Sequence, residues 1–356
     1  MTESESSEEI DEFLGSLGAT QEQIDEARRE CHLAGLAADL VLTEGANLSA
    51  AEVATQAGVD IDRVVAVWRL LGVAVPDPDR PMFSERDARF TAQAVALGPF
   101  GPRDELLRVL GNSLARVAEA AVSLYVQTVE PQLDVPEVDK VVWAKDLAST
   151  TSVALQLGDS MGPIFAHHLR DAISRQRAAQ AAVAERSLSR LAVGFVDLVG
   201  FTPISSHAAP SDLLELIGRF EVLAFDVAAA HDGRVVKHIG DEIMFVALDV
   251  AAGFAIAESL TQAFDAEGIE PRAGLAFGDV ISRYGDYYGP VVNLASRLAD
   301  LAVPKEVLVD AATAAAASDS SVVLQPAGRR LLKGFDGPVE VYSLRSAGTT
   351  TATESP

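Results

Sequence analysis

Apolar positions recur at helical spacing through the first half of this 356-residue chain and at strand spacing through much of the second. Thr20 precedes Gln21 and Gln23, and Ile24, Ala27, Cys31, Leu33 and Leu36 follow as one apolar stripe. Ser49-Ala-Ala-Glu52 is a capping-box pattern, in which each side chain can bond the other residue's backbone N–H at a helix start. Further helices are predicted over about 59–72, 84–97, 102–128, 136–157 and 161–190, with short loops at Pro76-Asp-Pro78 and Pro99-Phe-Gly-Pro102. Residues 9–167 therefore read as an all-helical domain, preceded by a disordered acidic tail over 1–8. An Ala-, Arg- and Gln-rich helix over 168–190 reads as a linker to the second half of the chain.

The texture changes at Leu191, where LAVGFVDLVGF reads as a buried strand. A helix (Pro210–Ala230), two strands (Gly233–Lys237 and Ile243–Leu248), a helix (Val250–Ala266), a strand (Pro271–Val280) and a helix (Val291–Leu301) are predicted after it. Short strands near Val307–Val309, Val322–Gln325 and Val339–Leu344 complete a domain over 191–345. The order βαββαβ predicts an α+β fold with a mostly antiparallel sheet and helices on one face. Residues 346–356 read as a second disordered tail.

Composition adds limits. Apolar residues make up 49% of the chain and charged ones 22%, enough to build two cores. The net charge of −24 repels nucleic acid and anionic membranes, and repels a polyphosphate at long range as well. A nucleotide enzyme on such a scaffold needs cations to gather its substrate. The single cysteine, Cys31, permits no internal disulfide and reads as a small apolar residue on a helix face. The acidic start MTESESSEEIDEFL is unlike a signal peptide, and no uncharged apolar run reaches about 18 residues. A cytoplasmic protein without a membrane span is expected.

Four segments of the second half carry candidate chemistry. Asp197, in GFVDLVGFT, ends an apolar strand, where an unpaired carboxylate would cost several kcal/mol to bury. Gly200, Phe201 and Thr202 follow it into a helix whose free N–H groups could hold phosphate, although Asp197 in isolation reads as naturally as a helix cap in a tight turn. Asp241, in KHIGDEIMFVA, reads alone as a hairpin turn residue. The sheet order, however, places it beside Asp197, and two neighbouring carboxylates suit a bridging divalent cation. Lys237 lies four residues before Asp241 and reads alone as a solvated lysine. In GDYYGPVVNLASRL, Asn293 and Arg297 share one helix face at i and i+4, and Asp286 sits in a glycine-bounded turn. Each of these has an ordinary structural reading by itself.

In their order and span, FVDLVGFT, VVKHIGDEIMF, GDYYGPVVNLASRL and LLKGFDGPVEVY resemble the class III nucleotide cyclase catalytic domain, whose core is ferredoxin-like. The resemblance covers about residues 187–345. It implies that Asp197 and Asp241 bind two Mg²⁺ or Mn²⁺ ions, and that Lys237 and Asp286 read the adenine edge of ATP. It further implies that Asn293 orients the ribose, Arg297 stabilises the transition state, and Lys333 contacts the terminal phosphates. Because all six principal positions are filled, the resemblance implies an active adenylate cyclase working as a homodimer with its sites at the interface. The helical half is similar to the regulatory domain of soluble actinobacterial class III cyclases. That similarity implies control by a proton, lipid or other small-molecule effector, and His167 and His168 are candidate pH-sensing groups. The competing reading is a helix-turn-helix DNA-binding regulator fused to a cyclase-like sensor. It rests on two short helices in Leu48–Gly72, but these offer only Arg63 and Arg69 against Glu52, Asp60 and Asp62.

Overall fold

The computed structural model describes residues 3–96, 103–129, 139–180, 188–264, 269–317 and 322–344. The expected tail over 346–356 and the loop at Pro99–Pro102 lie outside them. The chain forms two units, 1–167 and 168–356.

The first unit is helical: α1 (Glu3–Ser16), α2 (Gln21–Arg29), α3 (Gly35–Leu42), α4 (Ala50–Ala57), α5 (Ile61–Leu70), α6 (Glu85–Ala96), α7 (Arg103–Thr128) and α8 (Lys140–Asp159). Both predicted starts are capped as the sequence requires, by Thr20 with Gln23 and by Ser49 with Glu52. Ile10 and Leu14 of α1 pack with Ile24, Leu36, Val141 and Ala144 in one core, and Val53, Val64, Phe83 and Ala88 anchor a second. Two expectations need correction. Residues 3–8, read as a disordered acidic tail, are the first turns of α1, because Ile10 and Leu14 bury the apolar side of that helix. Cys31 is not on a helix face: α2 ends at Arg29, and Cys31 is exposed in a connector with φ 56°.

Helix α9 (Met161–Gln180) contains the boundary between the units at 167/168; residues 188–190, expected to end the linker helix, instead open the first strand, and residues 181–187 lie outside the described set. The second unit continues as β1 (Leu188–Val199), α10 (Phe201–Ser205), α11 (Pro210–Ala230), β2 (Gly233–Ile239), β3 (Glu242–Ala247), α12 (Val250–Ala263), β4 (Glu270–Arg283) and β5 (Asp286–Tyr288). It closes with α13 (Pro290–Leu301), β6 (Val307–Asp310), α14 (Ala311–Ala316), β7 (Leu324–Leu331) and β8 (Pro338–Leu344). The strands form one eight-stranded sheet in the order β2-β3-β1-β4-β6-β8-β7, with β5 folded back on β4. Every pairing is antiparallel except β4 with β6.

Helices cover both faces of this sheet, not one as the strand order suggested. On one face Ala192, Val196, Phe245 and Leu275 meet Phe220 and Ala224 of α11 and Phe254 and Leu260 of α12. On the other, Val193, Phe195, Met244 and Ala276 meet Ala295 and Ala299 of α13, and Ala179 of α9. The reason lies in β1, which is apolar at successive positions and so must be covered twice.

Gly274 sets where α13 rests. A Cβ there would fall 2.2 Å from Ala295 O and 2.2 Å from Ala299 N, so helix and strand backbones touch. Gly274→Ala is expected to push α13 outward and destabilise the domain by about 1–3 kcal/mol. Urea unfolding checks this through a lower midpoint.

Candidate active site

The site is built on the α13-bearing face. Strand alternation along β1 turns Val193, Phe195 and therefore Asp197 toward this face. Asp197 stands opposite Glu242 across the β1–β3 ladder and opposite Arg272 across the β1–β4 ladder. Three ionisable side chains thus lie side by side across three strands. Arg272 closes on Asp197 Oδ2 with Nε at 2.9 Å and Nη2 at 2.6 Å. Its Nη1 donates to the carbonyls of Asp300 and Ala302, at the end of α13, at 2.7 and 3.3 Å. Asp241 occupies the tight turn before β3, where Gly240 has φ 66°.

The cluster is over-supplied with negative charge. Burial, the neighbouring charge of Asp197, and then those of Asp300 and Asp241, push the Glu242 carboxyl up to about 7 against the opposing pull of Arg272. Burial also raises Asp241, with Asp197 adding to the rise, while its own backbone N–H and Arg272 oppose it. Arg272 and Glu242 were not singled out in the sequence. The available signal was a lone cation in the predicted strand Pro271–Val280, and an acid directly after Asp241.

Lys237 and Asp286, 49 residues apart, meet with Nζ 2.6 Å from Oδ2. The fold makes the contact by turning the β4–β5 hairpin back over the sheet face. Asp286 Oδ1 accepts from the Tyr287 N–H at 2.8 Å, so both carboxylate oxygens are held. Asp286 belongs to the short strand β5 rather than to the turn itself.

Asn293 and Arg297 do not join these groups. Ala295, Leu298 and Ala299 form the buried stripe of α13, and at 100° per residue Asn293 and Arg297 project from its opposite side. Arg297 pairs with Asp300 at 2.8 Å, and among the described residues no hydrogen bond joins Asn293 or Arg297 to Asp197, Asp241, Lys237 or Asp286. Gly200 takes φ 90° at the start of α10, and the Phe201 side chain packs into the core, leaving only its backbone for a ligand. The Thr202 side chain lies outside the described set. Lys333 is exposed in the turn after β7.

The helix pair in 48–72 buries Val53, Ala54, Val64 and Val67, and Arg63 lies 3.9 Å from Asp104. One of its two cations thus already faces a carboxylate. Among the described residues, no helix is long and apolar enough to cross a membrane.

Comparison with known proteins agrees with this architecture. Residues 2–173 match the adenylate cyclase regulatory domain, and residues 183–346 match the adenylate and guanylate cyclase catalytic domain. An uncharacterized protein of Mycobacterium tuberculosis strain H37Rv is 33% identical over 344 residues, spanning 93% of this chain and 88% of that relative. An adenylate cyclase of Glutamicibacter nicotianae is 30% identical over 327 residues, spanning 83% and 78%. A pH-sensitive adenylate cyclase of Mycobacterium tuberculosis strain CDC 1551 is 29% identical over 335 residues, spanning 88% and 81%. The chain belongs to the class III nucleotide cyclases, as an adenylate cyclase with an N-terminal regulatory domain. The helix pair in 48–72 falls within the regulatory match, and nothing in the comparisons supports a DNA-binding role.

Glu242 makes the metal-free chain sensitive to pH. Its folded-state value near 7 lies above the ordinary 4.5, so its contribution to stability is complete below about 4.5 and is lost as pH rises through 7. Glu242→Gln is therefore expected to melt at a higher temperature than the unaltered chain at pH 8 and to match it at pH 4.5. Thermal melts in chelator across that range check the outcome.

Proposed function

We propose that this site converts ATP to 3′,5′-cyclic AMP and pyrophosphate by in-line attack of the ribose 3′-oxygen on the α-phosphorus. The observation that carries the reading is the 2.6 Å Lys237–Asp286 contact on the same sheet face as Asp197. It sets a fixed donor beside a fixed acceptor. Adenine N1 accepts and its amino group donates, which matches that order, whereas guanine presents an acceptor and a donor in the reverse order. Lys237 and Asp286 therefore read the base.

Asp197 and Asp241, with Glu242 beside them, form a carboxylate cluster only partly compensated by the guanidinium of Arg272, a negative excess that suits divalent cations. Among the described residues no group of three or more His, Cys, Asp or Glu is arranged to hold a metal by itself. Two carboxylates suit Mg²⁺ or Mn²⁺, ions that keep water and substrate phosphate among their oxygen ligands. Asp197 and Asp241 would hold two such ions, which when bound supply Lewis acidity at the 3′-oxygen and the triphosphate. Lys333 and the backbone N–H groups at Gly200, Phe201 and Thr202 meet the phosphates.

The outward projection of Asn293 and Arg297 supports a homodimer in which they complete the partner's site. There Asn293 orients the ribose, and Arg297 meets charge developing on the α-phosphate. The helical unit controls this reaction. A proton is the effector favoured here, because a relative that matches 88% of this chain is a pH-sensitive adenylate cyclase.

Turnover of ATP is expected to exceed that of GTP with either metal. Asp197→Ala should lower it by roughly a hundredfold or more, and near-normal turnover in that variant would remove the metal assignment. Separately, Asp197→Ala and Arg297→Ala chains, each inactive alone, should recover activity on mixing, because one intact site forms per mixed dimer. For regulation, the rate is measured against pH for the full chain and for residues from about 187 onward. Superposed profiles would exclude the helical unit as a pH sensor.

A further inference from the structure

The Lys237–Asp286 contact joins two side chains, but a different residue holds the hairpin that presents Asp286. Tyr284 and Gly285 connect β4 to β5 with φ 54° and 83°, a tight two-residue turn. Only three register pairs tie β5 to β4. Arg234, on β2, donates from Nη2 to the carbonyl of Gly285 at 3.1 Å. Its guanidinium also lies 5.7 Å from the centroid of the Tyr287 ring. One side chain therefore grips the residues immediately before and after Asp286.

A backbone irregularity makes this grip possible. Arg234 and Lys237 are three residues apart, so strict alternation would put them on opposite faces of β2. The β2–β3 register instead runs Arg234 to Val246, Val235 to Phe245 and Lys237 to Met244, with Val236 as an extra residue. Val246 and Met244 both belong to the core on the α13 face. The bulge thus returns Arg234 and Lys237 to one face, and both reach the same hairpin.

Building on the reading of Lys237 and Asp286 as the adenine contacts, we propose that Arg234 is a positioning residue for nucleobase selectivity. It holds the hairpin tip so that the Asp286 acceptor keeps its spacing from the Lys237 donor. Selection between two bases needs donor and acceptor in register together, so a loosened tip weakens ATP recognition more than it weakens GTP binding.

The test uses the full chain and kcat/KM for ATP and for GTP, in Arg234→Ala, Arg234→Lys, Asp286→Ala and the Arg234→Ala, Asp286→Ala double variant. Arg234→Ala is expected to lower the ATP-over-GTP ratio by about fivefold or more, mainly through KM for ATP. Arg234→Lys, which keeps a donor for Gly285 but not the guanidinium contact with Tyr287, should fall between, and it carries the test if the alanine variant does not fold. In the Asp286→Ala background, removing Arg234 should change the ratio no further. An unchanged ratio in Arg234→Ala, an equal fall for both nucleotides, or full additivity with Asp286→Ala would overturn the proposal. If Asp286→Ala shifts the ratio and Arg234→Ala does not, this inference alone fails. If Asp286→Ala itself leaves the ratio unchanged, the adenine reading beneath it fails.

Discussion

The ion pair between Asp197 and Arg272 is the contact on which the catalytic unit turns. It crosses the β1–β4 ladder near its Val199–Glu270 end, where both side chains are partly buried and a lone carboxylate would be costly. Arg272 also reaches two carbonyls at the end of α13, so the same guanidinium ties the aspartate's strand to that helix. Removing the cation would leave Asp197, Glu242 and Asp241 to repel one another across adjacent strands. One positive charge does not cancel three carboxyl groups, and the displaced titration of Glu242 registers the excess. The proposed binding of divalent cations draws on that excess, on a chain whose net charge of −24 repels a triphosphate.

The site's groups divide by direction. Asp197, Lys237 and Asp286 face inward over the sheet, while Asn293 and Arg297 project from the far side of α13. Gly274 makes that division rigid, because α13 lies against β4 with no room to roll. A helix seated backbone to backbone cannot turn Arg297 toward its own aspartates without losing the burial of Ala295, Leu298 and Ala299. The proposed sharing of sites between two chains follows from this geometry. The hairpin bearing Asp286 is a short element of the site, and side chains of β2 hold it in addition to its own ladder.

Much of this was legible in the chain itself. Helical spacing located most of the first unit's helices and the capping box at Ser49 marked the start of α4, since local hydrogen bonds and an apolar stripe suffice for a helix. Pro210 and Ala230 bound α11 where its apolar run begins and ends. The six polar positions each have an ordinary reading alone, and the resemblance of four ordered motifs to the cyclase catalytic domain is what singled them out. Local pattern misjudged Cys31, whose stripe continued on paper across a break in the helix, and residues 3–8, whose acidity concealed the apolar side of the same helix.

The sequence by itself determined which residues are polar where burial is expected, and the order in which strands and helices occur, because both are properties of neighbours along the chain. Only the tertiary structure decided which of those residues meet. Arg272 joins Asp197 because β1 and β4 pair in one register, and Arg234 shares a face with Lys237 because β2 carries a bulge at Val236. Register and bulge depend on contacts between segments tens of residues apart, and nothing local to either segment encodes them.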